Sequence, residues 1–148
     1  MFGPAMHDSP FRRKPSNPRE RKPRQDREHA EAAALMQIVR AHESRWPALV
    51  RFFAVPNGGA RSKASAGKMK AEGVRRGVPD YLWPLKVGSC PGLALELKAK
   101  GGRLAPEQRE WIDHLQLQGW LCVVAYGADE AWAAIRAYAV SHHIESQS

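Results

Sequence analysis

The chain has 148 residues, of which 43% are hydrophobic and 26% charged, and this composition is typical of a single globular domain. It contains no apolar run long enough for a transmembrane helix, and its N-terminal segment lacks the apolar core of a secretory signal. We therefore expect a cytoplasmic protein without a membrane partner. The formal net charge of +8 favours a polyanionic partner, most commonly nucleic acid.

The cysteine and histidine content argues against two other classes of protein. Two cysteines are too few for a disulfide framework, and Cys122, within the run WLCVVAY, is expected to be a small buried thiol. The sequence has no C-x-x-C or H-x-x-x-H spacing, so a structural zinc site is not expected.

The first 26 residues differ in composition from the rest of the chain. They contain five prolines, seven Lys or Arg residues and no Leu, Ile, Val or Trp. Such a segment cannot bury enough apolar surface to fold, so we predict a disordered basic tail over 1–26 and a folded domain over 27–148. The tail either adds nonspecific affinity for phosphate groups or is a dispensable extension.

An Ala-rich stretch then predicts a helix over about 27–44. Leu35 and Ile38 lie on one apolar stripe of this helix, and Glu28 and Glu31 extend the stripe towards the N-terminus. Acidic residues near a helix start usually complement the helix dipole. Their position on the apolar stripe also permits a buried role.

The middle of the chain predicts short elements with a basic character. A strand over about 49–55 ends in an Asn-Gly-Gly turn, and a short helix over about 62–72 ends at Gly73. Seven basic residues lie between positions 51 and 79, against one acidic residue, Glu72.

Four further elements complete the predicted fold. The strands DYLWPLKV and GLALELKAK are joined by the turn GSCPG, and a helix begins at Pro106 and ends before Gly119. WLCVVAY is apolar throughout and is expected to be a central strand, and DEAWAAIRAYAV predicts the last helix, from the region of Asp129. The order α, β, α, β, β, α, β, α predicts an α/β fold with a small mixed central sheet of about four strands flanked by helices.

The strand LALELKAK carries charges in an otherwise apolar run. Alternation places Glu96 and Lys98 side by side on one face, and Asp80 opens the preceding strand near the same end of the pair. Two carboxylates and a lysine suit phosphodiester hydrolysis, because carboxylates bind a hard cation such as Mg²⁺ and the lysine orients the nucleophile. The alternative is a hairpin with a polar outer face, on which Glu96 and Lys98 form a surface pair that contributes little.

Two observations favour the catalytic interpretation. Asp80 directly follows the turn GVP, which fixes where its strand begins. Gln108 shares a helical stripe with Trp111, Ile112 and Leu115, so it is expected to point towards the sheet and not into water.

Pro79-Asp80, followed after fifteen residues by Glu96-Leu97-Lys98, resembles the signature of the PD-(D/E)XK nuclease superfamily. The segments VPNGGARSKASAGKMKAEGVRRGVPDYLWP, ELKAKGGRLAPEQREWIDHLQLQGW and VVAYGADEAWAAI are similar to the VRR-NUC family, the virus-type replication-repair nucleases. The similarity extends from about residue 28 to 138 and implies a restriction-endonuclease-like core.

The resemblance also implies roles for residues of the hairpin and the following helix. Asp80 and Glu96, helped by the backbone carbonyl of Leu97, would bind Mg²⁺ or Mn²⁺. Lys98 would be the catalytic lysine, and Gln108 would contribute to the polar lining of the site.

A glutamate near the start of the first helix is a further feature of the family, commonly in the pattern E-x-x-x-Q. Glu28 fits this place as a metal ligand, although Ala32 stands where the glutamine is expected. Glu31, one helical turn away, is the less favoured alternative.

The Asn-Gly-Gly turn and the basic stretch after it also match the family. We expect five residues of this region to line the approach for the sugar–phosphate backbone: Asn57, Arg61, Lys63, Lys68 and Lys70. Such contacts position nucleic acid without reading its sequence and make binding depend on salt. For each single lysine, the alternative is a solvated helix face.

The resemblance implies a Mg²⁺- or Mn²⁺-dependent deoxyribonuclease acting on branched or duplex DNA. Stand-alone members of the family are similar to structure-selective endonucleases that cut four-way (Holliday) junctions, and paired cuts need two active sites, hence a homodimer. Such a protein suits replication or repair in a phage or prophage. Larger relatives with added domains process flaps, so a flap or end-processing nuclease is one alternative. A non-cleaving basic DNA-binding module is another, although it predicts the loss of Asp80, Glu96 or Lys98.

Overall fold

The computed structural model of the protein describes residues 22–56 and 63–146. Within these ranges the helices and strands are α1 (Lys22–His42), β1 (Phe53–Ala54), α2 (Lys63–Ala71), β2 (Tyr81–Trp83), β3 (Leu93–Lys98), α3 (Pro106–Leu117), β4 (Leu121–Tyr126) and α4 (Ala128–Ser146). A short 3-10 helix, Pro47–Arg51, precedes β1. No helix in these ranges is long and apolar enough to cross a membrane.

The four strands form one mixed sheet in the order β1-β2-β3-β4. The first three strands run antiparallel, with Tyr81 of β2 paired to Leu95 of β3. Strand β4 runs parallel to β3, and α3 makes the crossover between them, as a parallel pair requires. This arrangement confirms the predicted α/β class with a small mixed sheet flanked by helices.

One face of β3 forms the centre of the hydrophobic core. Leu93, Leu95 and Leu97 are all buried there, within a core cluster that includes Leu35 of α1 and Ile135 of α4. Because side chains alternate along a strand, Glu96 and Lys98 lie on the opposite face. The apolar core thus fixes the strand that presents both charged residues.

The helices lie close to their predicted positions. Helix α1 begins at Lys22, so the last residues of the predicted basic tail are helical, while residues 1–21 lie outside the described part of the chain. Helix α3 begins at Pro106 as predicted. Gly73 and Gly119 follow α2 and α3 with φ values of 92° and 85°, which glycine adopts without steric cost.

The prediction of a strand over 49–55 was wrong for most of its length. Leu49 and Phe52 are buried, whereas Val50 and Phe53 are 54% and 47% exposed. This three-residue period belongs to a 3-10 helix, and only two residues after it pair as a strand.

The prediction that WLCVVAY is a central strand was also wrong. Among the described residues β4 lies at the edge of the sheet, and β3 is the strand with neighbours on both sides. Strand β4 packs against both α3 and α4. Its apolar sequence therefore reflects the cover on its two faces, as in parallel sheets, and not a central position.

Burial in α4 gives a direct test of the core. Ile135→Ala is expected to lower the free energy of unfolding by about 2–4 kcal/mol, because Ile135 is fully buried and the surrounding core can relax only partly into the cavity. Val140→Ala in the same helix removes a side chain that is 42% exposed, and it should cost less than about 1 kcal/mol. Urea denaturation measures both values, and equal losses in the two variants would contradict this core.

Candidate active site

A cleft of about 1230 Å³ opens beside the C-terminal end of β3. Residues from α1, α2, α3 and the segment that leads into β2 line it. Its charged lining residues are Glu28, Lys70, Arg75, Arg76, Asp80, Glu96, Lys98 and Glu107. The deepest of these belong to β3, since Glu96 is 2% and Lys98 is 8% exposed.

Glu96 and Lys98 form a buried ion pair. Lys98 Nζ lies 2.7 Å from Glu96 Oε1, and the side chain of Gln108 donates a second hydrogen bond to the same oxygen. The alternative of a solvent-exposed polar face on the hairpin is therefore wrong. The expectation that Gln108 points towards the sheet is confirmed, and its own Oε1 accepts the N–H of Ala105 at 2.9 Å, which fixes the side chain at the start of α3.

Asp80 lies where the backbone pairing between β2 and β3 stops. Its Oδ2 accepts the N–H of Leu97 at 2.9 Å. The carboxylate therefore replaces the backbone carbonyl that would accept this N–H if the pairing of β2 with β3 continued. Its carbonyl oxygen accepts the N–H of Val55 at 2.8 Å, which ties the same residue to the chain after β1. These two bonds hold Asp80 beside Glu96.

The backbone carbonyl of Leu97 is directed to the same edge. The N–H and C=O of a strand residue point to one side, and those of its neighbour point to the other. The Lys98 carbonyl accepts the N–H of Gly127 on the β4 side, whereas the Leu97 N–H donates to Asp80. The Leu97 carbonyl therefore points towards the Asp80 side, the orientation that the predicted ligand role requires.

The two carboxyl groups are poorly solvated and repel each other. Burial, the largest cause, and the charge of Asp80 together raise the pKa of Glu96 to about 7, although the hydrogen bond from Lys98 and its positive charge act in the opposite direction. Burial also raises the pKa of Asp80, against the lowering effects of the Leu97 N–H and Lys98, and the charge of Glu28 adds to the rise. An additional cation in the cleft would relieve this repulsion.

The donor set suits a hard divalent cation. Glu96 Oε2 is buried and makes no hydrogen bond within the described residues, so one carboxylate oxygen is left without a partner. In those ranges no three His, Cys, Asp or Glu side chains cluster closely enough to hold a metal ion. Mg²⁺ commonly binds only one or two carboxylates and keeps waters and substrate phosphates as its other ligands. Asp80, Glu96 and the Leu97 carbonyl fit such a site for Mg²⁺ or Mn²⁺.

The two glutamates of α1 occupy different places. Glu28 lines the cleft, as does Ala32 at the position where the family pattern has glutamine. Glu31 Oε2 instead accepts the N–H of Ala128 at 2.7 Å, at the first residue of α4. A carboxylate at this place satisfies an otherwise unpaired N–H and complements the helix dipole. The structure thus brings Glu28 to the cleft and gives Glu31 a structural contact.

The predicted DNA-contacting residues are only partly brought together. Lys70 lines the cleft, whereas the side chain of Lys68 is 79% exposed, lies 4.0 Å from Glu72 and is not part of the lining. Asn57 and Arg61 lie outside the described residues, and so does the side chain of Lys63. Their predicted roles stay predictions.

Arg75 and Arg76 were predicted only as part of a basic stretch, yet both line the cleft. The carbonyl of Arg76 accepts the Trp111 Nε1–H at 3.0 Å. Gly77 has a φ of 82°, and a Cβ atom there would lie 2.6 Å from the backbone of Glu107. The signal in the sequence was the run RRG directly before VPD.

The raised pKa of Glu96 predicts how stability depends on pH when chelator keeps divalent cations away. Glu96 has a higher pKa in the folded state than the ordinary glutamate value of 4.5, so the free energy of unfolding should fall as pH rises from about 4.5 to 7. Glu96→Gln should reduce this decrease in the free energy of unfolding by ~1–3 kcal/mol, as measured by denaturation at several pH values. Glu107→Gln, at an exposed carboxylate of the rim, is the matched control. A Glu96→Gln protein with the wild-type slope would contradict the assignment.

Comparisons with known proteins identify related domains. The VRR-NUC domain model matches residues 20–129, well over half of the chain. A solved structure described as a VRR_NUC domain protein is similar, with 27% sequence identity and a TM-score of 0.58, over 72% of this chain and 86% of that one. The comparison with curated proteins gave no significant match. A VRR-NUC domain implies a nuclease-type function with DNA as its substrate, and the chain belongs to the VRR-NUC family.

Proposed function

We propose that the protein is a metal-dependent, structure-selective DNA endonuclease that hydrolyses phosphodiester bonds at four-way junctions as a homodimer. The observation that carries the chemistry is the group of Asp80, Glu96 and Lys98 in one cleft, with Glu96 Oε2 buried and without a hydrogen-bond partner in the described part of the chain. A structural ion pair alone does not need a second carboxylate held beside it.

Each residue of the group has a distinct task in the proposed reaction. The Leu97 N–H fixes Asp80, and Lys98 and Gln108 together hold Glu96 Oε1, so the remaining carboxylate oxygens are available to Mg²⁺ or Mn²⁺. When bound, the cation supplies Lewis-acid polarisation of the scissile phosphate and acidifies a water. The Lys98 ammonium, held 2.7 Å from Glu96, orients the attacking water and offsets the charge that develops on the phosphate.

Binding that does not depend on base sequence follows from the kind of contacts that the cleft offers. Basic side chains at its rim, including Lys70, suit phosphates, and phosphate contacts carry no information about base sequence. The junction as substrate and the homodimer come from the resemblance to stand-alone VRR-NUC proteins, because paired symmetric cuts need two active sites.

The first test is cleavage of labelled four-way junction, flap, single-stranded and linear duplex DNA in Mg²⁺, Mn²⁺ or EDTA. We expect paired, symmetric cuts in the junction that require metal. Asp80→Ala and Lys98→Ala should each reduce the rate about 100-fold or more, because each removes a group that acts on the reacting atoms. Sedimentation of the same samples measures whether the active species is a dimer.

A matched control is Arg136→Ala, since Arg136 is an exposed arginine of α4 that does not line the cleft, and this variant should keep near wild-type activity. Preferential cutting of flaps or free ends would replace the junction by the flap or end-processing alternative. Binding without cleavage in every metal, with both site variants equal to wild type, would leave a basic DNA-binding module.

The two glutamates of α1 should separate activity from stability. Glu28→Ala is expected to lower the rate of metal-dependent cleavage, because Glu28 lines the cleft beside Asp80. Glu31→Ala should instead lower the free energy of unfolding by about 1 kcal/mol, through loss of the bond to the Ala128 N–H, and leave the rate per folded molecule near wild type. Single-turnover cleavage and urea denaturation measure the two effects. The reverse pattern would assign the active-site role to Glu31.

A further inference from the structure

We propose that residues 73–77, here called the RRG loop, form a fixed phosphate-binding loop at the mouth of the cleft, in which Arg75 and Arg76 hold the sugar–phosphate backbone of DNA. Trp111 is the positioning residue of this loop. The inference rests on the proposed function only in taking DNA as the substrate, and it adds which residues hold the strand and how they are kept in place.

The backbone of the RRG loop is tied to α2 at one end. The N–H groups of Gly73 and Val74 donate to the carbonyls of Lys70 and Met69, at 3.2 and 3.0 Å. The φ of 92° at Gly73 turns the chain out of the helix. The loop therefore leaves α2 in a defined direction.

The other end of the loop is tied to α3. The Trp111 Nε1–H donates to the Arg76 carbonyl at 3.0 Å, and Gly77 approaches Glu107 so closely that a Cβ would lie 2.6 Å from its backbone. A glycine that meets both a positive φ and a close backbone contact marks a segment with one conformation. The two arginines are therefore carried by a backbone that is fixed from both sides.

The cleft has buried charged groups at its base and exposed cationic groups at its mouth. The carboxylate of Glu96 and the ammonium of Lys98 are buried in the cleft, whereas Arg75 and Arg76 are exposed and line it. Arginine suits phosphate, because its planar guanidinium presents paired donors and is more weakly hydrated than an ammonium group. Cations at the mouth also counter the repulsion between the acidic residues of the cleft and a polyanionic strand.

The loop is close to the reacting groups along the chain. Arg76 and Asp80 are four positions apart in the chain, so their Cα atoms are no more than about 14 Å apart. A DNA strand bound by Arg75 and Arg76 therefore passes near Asp80 and Glu96. Fixing the loop reduces the conformational freedom lost on binding, which is how a positioning residue raises affinity without touching the substrate.

The test measures binding of the full-length protein to fluorescent four-way junction and duplex DNA by anisotropy, in EDTA, from about 50 to 200 mM salt. The double variant Arg75→Ala with Arg76→Ala should weaken binding about 10- to 100-fold and lower the slope of log affinity against log salt by about 2, one for each lost phosphate contact. The double Lys variant should recover most of the slope but not all of the affinity, since lysine binds phosphate as a point charge. Arg136→Ala, at an exposed arginine of α4 outside the cleft lining, is the matched control.

Trp111→Phe keeps an aromatic ring but removes the N–H that holds the Arg76 carbonyl. It should weaken DNA binding several-fold while leaving the salt slope unchanged, and in cleavage assays it should raise KM more than it lowers kcat. A purely structural role would instead lower the amount of folded protein and leave the KM of the folded fraction unchanged. Circular dichroism and thermal melting of each variant check the fold.

Two results would overturn the proposal. One is a double Ala variant that binds with the affinity and salt slope of Arg136→Ala, and the other is a Trp111→Phe protein with wild-type binding and KM, which would remove the positioning role. Because binding is measured without metal, the affinities and salt slopes are independent of catalysis, and only the KM comparison needs an active wild-type protein. A wild-type protein that never cleaves, but loses affinity in the double Ala variant, would sink the nuclease mechanism and support the loop.

Discussion

The ion pair of Glu96 and Lys98 is buried next to the hydrophobic core, and its burial is the constraint on which much of the structure depends. Removing two charges from water costs several kcal/mol for each ion unless close partners compensate. The strand cannot move these side chains to the surface, because the leucines on its other face are held in the core. The neighbouring elements must therefore supply the compensation. Helix α3 supplies Gln108, and its start is fixed by the bond between Gln108 and Ala105.

The same constraint explains why the β2–β3 pairing is so short. A further pair of residues after Tyr81 and Leu95 would continue the ladder and cover the edge of β3. Instead the Asp80 side chain accepts the Leu97 N–H, so the hydrogen bond of the ladder is kept while a carboxylate is brought to Glu96. The sheet therefore ends in two acidic groups that repel each other, with raised pKa values and a buried oxygen without a partner in the described residues. The two carboxylates stay close together only if the backbone around them is fixed by other contacts.

Contacts made by α1, by α3 and by the loop before Asp80 fix the backbone around the cleft. Glu31 ties α1 to the first residue of α4, and one turn earlier the same helix presents Glu28 to the cleft. Trp111 and Glu107 of α3 hold the segment that leads into Asp80 through Arg76 and Gly77. Within one helix, therefore, one residue contacts a neighbouring element of the fold while a nearby residue lines the cleft. This division explains why spacing along a helix was insufficient to separate Glu28 from Glu31.

The sequence by itself determined the fold class, most helix boundaries and the group of Asp80, Glu96, Lys98 and Gln108, because each depends on local rules: alternation along a strand, the helical repeat, and turn residues such as Pro106. It did not determine the edge position of β4. A strand that is covered by helices on both faces has an apolar sequence whether it lies at the edge or in the middle of a sheet. Nor did it reveal that Leu49 belongs to a 3-10 helix, or that Arg76 and Gly77 are held by α3. These features depend on contacts between residues far apart in the chain, and only tertiary packing decides which of the locally allowed arrangements is formed.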